Sequence, residues 1–201
     1  FFAFKTTNND GHKYIKELYH KGIRLFICEE LQDLNQFPKA IFLLVKNSLE
    51  ALQKIAKYKR ENFHKEVVAI TGSNGKTIVK EWIVQLAQEN KKICYSPRSY
   101  NSQIGVALSL WQLNTNYDLG LFEAGISKPN EMTRLQEMIL PTLGISTNIG
   151  SAHQINFSSL EEKIEEKLKL FSSCHTLICP EDDIFLYNIV KQWCESREIK
   201  L

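Results

Sequence analysis

The chain has 201 residues, 43% of them hydrophobic, which is enough to bury one or two cores. Its 25 Lys and Arg against 23 Asp and Glu leave a formal charge of +2, so composition offers no electrostatic footprint for nucleic acid. Five scattered cysteines without a C-x-x-C pair argue against a disulfide framework and a zinc site and fit a reducing cytoplasm, and the apolar run 40–45 is far too short to span a bilayer.

Residues 1–4 read as a strand cut at its beginning. No cleavable signal is visible, and the abrupt start without Met makes the chain read as a fragment. Residues 8–11 form a turn, and 12–21 carry helical spacing through Ile15, Leu18 and Tyr19 until Gly22 closes the helix. Strands are expected at 23–28 and 40–45. Asn47, with Glu50 three residues on, opens a helix that fades near 59–62. This block, residues 1–64, is a small α/β domain, and the polar stretch 59–65 is the candidate linker to a second domain, 65–201.

In the second block a strand at 67–71 leads through a glycine-bearing turn into a helix with apolar residues Ile78, Val79, Trp82, Ile83, Leu86 and Ala87. Strands are expected at 92–96, 117–122, 143–148 and 175–179. Helices are expected at 103–113, 131–140 and 183–193. Another is expected to open at Ser158, with Glu161 completing a capping box. Alternating strands and helices imply an α/β fold with a mostly parallel sheet, and near-continuous apolar strands imply a sheet covered on both faces.

The turn Thr71-Gly72-Ser73-Asn74-Gly75-Lys76-Thr77 has the order that a phosphate-binding loop requires. Free N–H groups and the positive dipole end at a helix start attract phosphate. Glycines permit close approach, Lys76 adds charge, and the Thr77 hydroxyl is suited to Mg²⁺. The general pattern places a glycine where Ile70 stands, so the match is to the shorter form Gly72-x-x-Gly75-Lys76-Thr77. ATP or GTP binding is the working expectation.

Ligands bind at the carboxyl ends of strands in open parallel sheets. Glu123 follows directly on 117–122, where a carboxylate either holds Mg²⁺ or is a solvated strand end. Asp118, at the other end of that strand, reads as structural. Thr147, Asn148 and His153 follow the strand at 143–148, placed to face a nucleotide or a metal. The loop 95–105 either holds substrate or only connects. In the helix after Ser158, Leu160, Ile164, Leu168, Leu170 and Phe171 share one arc, with Lys167 near its middle and Glu161, Glu162, Glu165, Glu166 and Lys169 on the polar side. A lysine there must snorkel, pair or be chemically changed.

Together, the loop 71–77, Glu123-Ala124-Gly125, Thr147-Asn148-Ile149-Gly150 with His153, and Lys167-Leu168-Lys169-Leu170-Phe171 resemble the Mur ligase family. These are ATP-dependent amide-bond ligases of peptidoglycan precursor synthesis. Tyr100-Asn101-Ser102-Gln103-Ile104-Gly105, and Phe2-Ala3-Phe4 followed by Asp10-Gly11-His12, are most similar to one branch. That branch joins D-alanyl-D-alanine to UDP-N-acetylmuramoyl-tripeptide.

The resemblance implies that Lys76 and the loop Thr71, Gly72, Ser73, Asn74 and Gly75 hold ATP phosphates, with Asn148 beside them. Thr77 would bind one Mg²⁺, and Glu123 and His153 would serve a second. Lys167 would be the lysine that the family carbamylates with CO₂, and Asn101 and Ser127 would touch substrate. Lys76, Lys167 and His153 carry the catalysis in this reading. The substrate carboxylate attacks the γ-phosphate, and the dipeptide amine then displaces phosphate from the acyl phosphate. Ala107 replaces a common Pro and Ser102 an Asn of this branch, which loosens the expectation for substrate contacts. The resemblance further implies an N-terminal UDP-substrate domain lacking its start, a central domain lacking its end, an absent C-terminal ligase domain and a cytoplasmic location. In some bacteria this ligase is fused to an alanine racemase. Competing readings are the sibling that adds the third amino acid, a folylpolyglutamate-type synthetase, or a noncatalytic nucleotide-binding module.

Overall fold

The computed structural model describes residues 1–150 and 156–201; the expectation for His153 lies outside the described residues. The chain forms two compact units, Phe1–Lys54 and Ile55–Leu201. The first holds α1 (Ile15–His20), which follows a 3₁₀ turn at Gly11–Tyr14, and two parallel strands, β1 (Leu25–Cys28) and β2 (Ile41–Leu44). Its core gathers Ala3, Ile15, Phe26, Cys28 and Phe37, with Tyr19 and Phe42 packed against them. Residues 1–4 contribute one isolated bridge, Phe2 to Ile27, rather than the expected strand. Gly22 closes α1 at φ +94°, a backbone angle that few side chains tolerate.

The helix α2 (Ser48–Glu61) is capped as expected, with the Glu50 N–H donating to Asn47 Oδ1 at 2.9 Å. The division between units falls inside this helix rather than at the polar stretch 59–65. That stretch is anchored within the second unit. Arg60 is buried and donates to the carbonyls of Phe63, Ile139 and Leu140 at 2.6–2.7 Å.

The second unit is a five-stranded parallel sheet in the order β4-β5-β3-β6-β7, with β3 (Val67–Thr71) at its centre. Its flanking strands are β4 (Ile93–Tyr95), β5 (Leu119–Glu123), β6 (Leu143–Ser146) and β7 (Thr176–Ile178). All five residues of β3 are buried, as a strand covered on both faces must be, and each branched side chain there is worth about 1.5–3 kcal/mol of burial. Helices α3 (Lys76–Ala87), α4 (Gln103–Trp111), α5 (Met132–Ile139), α6 (Leu160–Leu168) and α7 (Ile184–Glu195) alternate with the strands. The expected α/β class and parallel sheet are what the chain adopts.

Two expectations change in detail. Helix α3 faces the sheet with Val79, Ile83, Val84 and Ala87, while Ile78, Trp82 and Leu86 are exposed. The buried arc is turned from the one that hydrophobicity suggests because the phosphate-type loop sets the helix's rotation, and the turned arc contains Lys80. At α6 the cap is Ser159, not Ser158. Ser159 Oγ accepts from the Glu162 N–H at 3.1 Å, and the Glu162 carboxylate accepts from the Ser158 N–H and hydroxyl at 2.6 Å. That one-residue shift leaves Glu161 outside the cap.

Candidate functional site

Three strand ends meet at the loop 72–75. Gly75 takes φ +81° at the start of α3, and Gly72 takes φ +150° where a Cβ would lie 1.8 Å from Thr147 Oγ1. Only glycine fits that contact. The loop is braced from the β6 side: the Ser73 N–H donates to the Asn148 carbonyl (2.7 Å), and the Asn74 N–H to Asn148 Oδ1 (3.1 Å). Thr147 Oγ1 donates to the Asn74 carbonyl (2.6 Å), while Ser73 Oγ accepts from the Gly150 N–H (3.0 Å). Asn148 is therefore a scaffold for the loop. Thr71 is fully buried with its hydroxyl on the Ala124 carbonyl (2.8 Å), so its side chain fixes the strand end.

Lys76 bends back over the loop, its Nζ donating to the carbonyls of Gly72 (2.9 Å) and Ser73 (3.3 Å). Burial lowers its pKa, and the Glu123 charge opposes that shift. One residue on, Thr77 Oγ1 donates to Glu123 Oε2 at 3.0 Å and lies 3.4 Å from Ser99 Oγ. Glu123 is fully buried, and its other oxygen, Oε1, receives no hydrogen bond. Its compensation is charge, from Lys80 Nζ at 3.0 Å. A hydroxyl and a carboxylate oxygen 3.0 Å apart fit Mg²⁺, since adjacent ligands of an octahedron with 2.0–2.1 Å bonds lie about 3 Å apart.

A pocket of about 250 Å³ opens beside the loop, lined by Gly72, Lys76, Asn101, Ser127, Glu131 and Lys167 among others. It thus brings together Lys76, Lys167, Asn101 and Ser127. The Asn101 carbonyl accepts from the Gly125 N–H (2.9 Å), and the Ser127 N–H donates to Glu131 Oε2 (2.8 Å), so both positions are held by neighbouring loops. Lys167 is buried, with Nζ donating to the Gly72 carbonyl at 3.1 Å. Burial first, then the charges of Lys76 and Lys163, pull its pKa down to about 7.

Several groups here carry no sequence expectation or a wrong one. Glu166, expected on the polar side of α6, is buried and accepts from the Met132 N–H (3.1 Å) and Lys169 Nζ (2.6 Å). Lys163 is buried one turn before Lys167 and donates to the Gly150 carbonyl. Lys80 is fully buried one turn after Lys76; its spacing of four from Lys76 is the signal that would have found it. In the first unit, Asp10, His12 and Glu30 cluster closely enough for a metal. They are satisfied without one: His12 Nε2 accepts from the Glu29 N–H, its Nδ1 faces Asp10, and Lys5 pairs with Glu30 at 2.6 Å. Asp118 plays the structural part expected of it, accepting from the Lys92 N–H and from Lys65.

Residues 70–200 match the model of the Mur ligase middle domain. The chain belongs to the Mur ligase family. Its similarity to individual Mur ligases extends further along the chain. It is 37% identical over 166 residues to the UDP-N-acetylmuramoyl-tripeptide–D-alanyl-D-alanine ligase of Rickettsia prowazekii, covering 83% of this chain and 36% of that protein. To the Borreliella burgdorferi enzyme of the same name it is 32% identical over 200 residues, covering 96% of this chain and 42% of the relative. The crystal structure of MurF ligase from Thermotoga maritima in complex with ADP superposes with a TM-score of 0.83 at 28% identity, covering 96% of this chain and 45% of that one. This Mur ligase chain spans about two-fifths of the length of the curated relatives it matches. Among its described residues, no helix is long and apolar enough to cross a membrane.

Proposed function

We propose that this chain supplies the nucleotide site of a cytoplasmic ligase that joins D-alanyl-D-alanine to UDP-N-acetylmuramoyl-tripeptide, with residues 1–64 serving the UDP substrate and 65–201 serving ATP. The observation that carries the reading is the pairing of Thr77 with Glu123 at 3.0 Å, directly after a glycine loop with Lys76. The complex of the Thermotoga maritima neighbour with ADP and the names of the curated relatives support it.

In this reading the loop amides and Lys76 cradle the ATP phosphates, and Lys76 leaves the Gly72 and Ser73 carbonyls to meet them. Thr77, with Glu123 beside it, would hold one Mg²⁺, and Glu123 with His153 would serve a second; these ions would neutralise charge during phosphoryl transfer. The tripeptide carboxylate, placed near Asn101 and Ser127, attacks the γ-phosphorus. The bond to the ADP oxygen breaks, giving an acyl phosphate. The dipeptide amine then forms the amide as phosphate leaves and the nitrogen loses its proton. Lys167 adds CO₂ through its free amine, forming an N–C bond and releasing a proton. The carbamate anion would then feel the charges of Lys76 and Lys163, whose repulsion of the ammonium becomes attraction.

The test is phosphate release by the intact protein with ATP and UDP-N-acetylmuramoyl-tripeptide. Release should require D-alanyl-D-alanine. Release driven instead by meso-diaminopimelate or lysine with the UDP-dipeptide would transfer the assignment to the sibling ligase. No release with either would favour a noncatalytic nucleotide-binding module.

A further inference from the structure

The fully buried Lys80 has a place in the fold that stability alone does not explain. A buried ion pair can often be replaced by apolar residues of similar volume without loss of stability, so a lysine facing a parallel sheet invites another reason. Its ammonium reaches three segments at once. It lies 3.0 Å from Glu123 Oε1 at the end of β5, and donates to the carbonyls of Ser96 (2.7 Å) and Arg98 (2.5 Å) beyond β4. It also lies 3.0 Å from Glu81 on its own helix. Each segment carries a group of the candidate site. Helix α3 presents Lys76 and Thr77, β5 presents Glu123, and the loop after β4 presents Ser99 and Asn101. Arg98 is held at φ +50°, a strained angle for a side-chain-bearing residue, and its carbonyl is one of the two that Lys80 holds.

We propose that Lys80 is a positioning residue for phosphoryl transfer, holding Glu123 through Oε1 so that Oε2 is presented beside Thr77. With Oε1 drawn to the Lys80 ammonium and Oε2 accepting from Thr77, the carboxylate has different partners on its two oxygens, and Oε2 is the one beside the metal position. Without Lys80, Glu123 is a buried charge that has lost the cation beside Oε1. The inference rests on the reading of Glu123 as a metal carboxylate.

A double-mutant cycle in the intact protein tests it, using Lys80→Met, Glu123→Gln and both together. Readouts are kcat, KM for ATP, the Mg²⁺ concentration for half-maximal rate, and MgADP affinity by calorimetry. Lys80→Met should lower kcat at least tenfold and raise the Mg²⁺ requirement several-fold, with KM for the UDP substrate changed by less than threefold. The double variant should match Glu123→Gln within a factor of about three in kcat, or in MgADP affinity if Glu123→Gln is too slow to assay. If Lys80→Met fails to fold, a folded double variant matching Glu123→Gln still supports the clamp. Failure of both to fold makes Lys80 a structural residue and overturns it. Lys80→Met within twofold of wild type, or losses that multiply in the double variant, also overturn it. A Glu123→Gln variant as active as wild type would instead sink the metal-carboxylate reading itself.

Discussion

Dissolved CO₂ should place a carbamate on Lys167 at a pH where surface lysines remain almost wholly ammonium. The magnitude follows from the pull of burial and of two neighbouring lysines, which bring its pKa from 10.5 to about 7. At pH 7.4 such an amine is free in about seven molecules of ten, against roughly one in a thousand for an ordinary lysine, a gain approaching 1,000-fold in the reactive form. Carbon-13 NMR of the intact protein under labelled CO₂ at fixed dissolved concentration should show one carbamate resonance. At that fixed CO₂ it should already form near neutral pH, grow as pH rises, and be absent from Lys167→Met. A resonance that survives the substitution, or one that forms only above about pH 9, would refute the reasoning. The same shift has a consequence for stability. Folded Lys167 releases its proton near pH 7 and the unfolded chain near 10.5, so between those values the unfolded state holds more protons and stability rises with pH. Below pH 7 the whole cost, about 5 kcal/mol, is present. In CO₂-free buffer Lys167→Met should therefore exceed wild type in stability at pH 6, by a margin that shrinks towards pH 10.

Gly72→Ala forces a Cβ to 1.8 Å from Thr147 Oγ1 at a φ that L-residues avoid; MgADP affinity should fall at least tenfold, and unchanged calorimetric binding would count against the loop as the phosphate cradle. Arg60→Met strips donors from the carbonyls of Phe63, Ile139 and Leu140, and should cost about 2–4 kcal/mol in denaturant unfolding; a loss under about 0.5 kcal/mol would mean that water replaces the guanidinium. Ser159→Ala removes the cap of α6 and should cost about 1 kcal/mol, more than Ala at Glu161, which takes no part in the cap; equal losses would return the cap to the expected register.

Much of this protein is legible in its sequence because the relevant physics is local. A strand covered on both faces must be apolar throughout, as 67–71 is, and a glycine–lysine–threonine turn after it can only open a helix with free N–H groups pointing outward. The α/β class, the Asn47 cap, the Gly22 stop and the outlying position of Lys167 followed from that level. The tertiary structure decided what depends on which way an element is turned. Rotation of α3 is set by the loop and the sheet, not by its own hydrophobicity; it exposes Ile78, Trp82 and Leu86 and buries Lys80. Packing of α6 likewise buries Glu166 and Lys163, whose partners, Met132 and Gly150, lie far off in the chain. Asn148 becomes a brace rather than an open side chain because Ser73 and Asn74 arrive beside it from the other side of a parallel pair. A charged side chain is buried only where distant segments converge to compensate it, and no local pattern records that convergence.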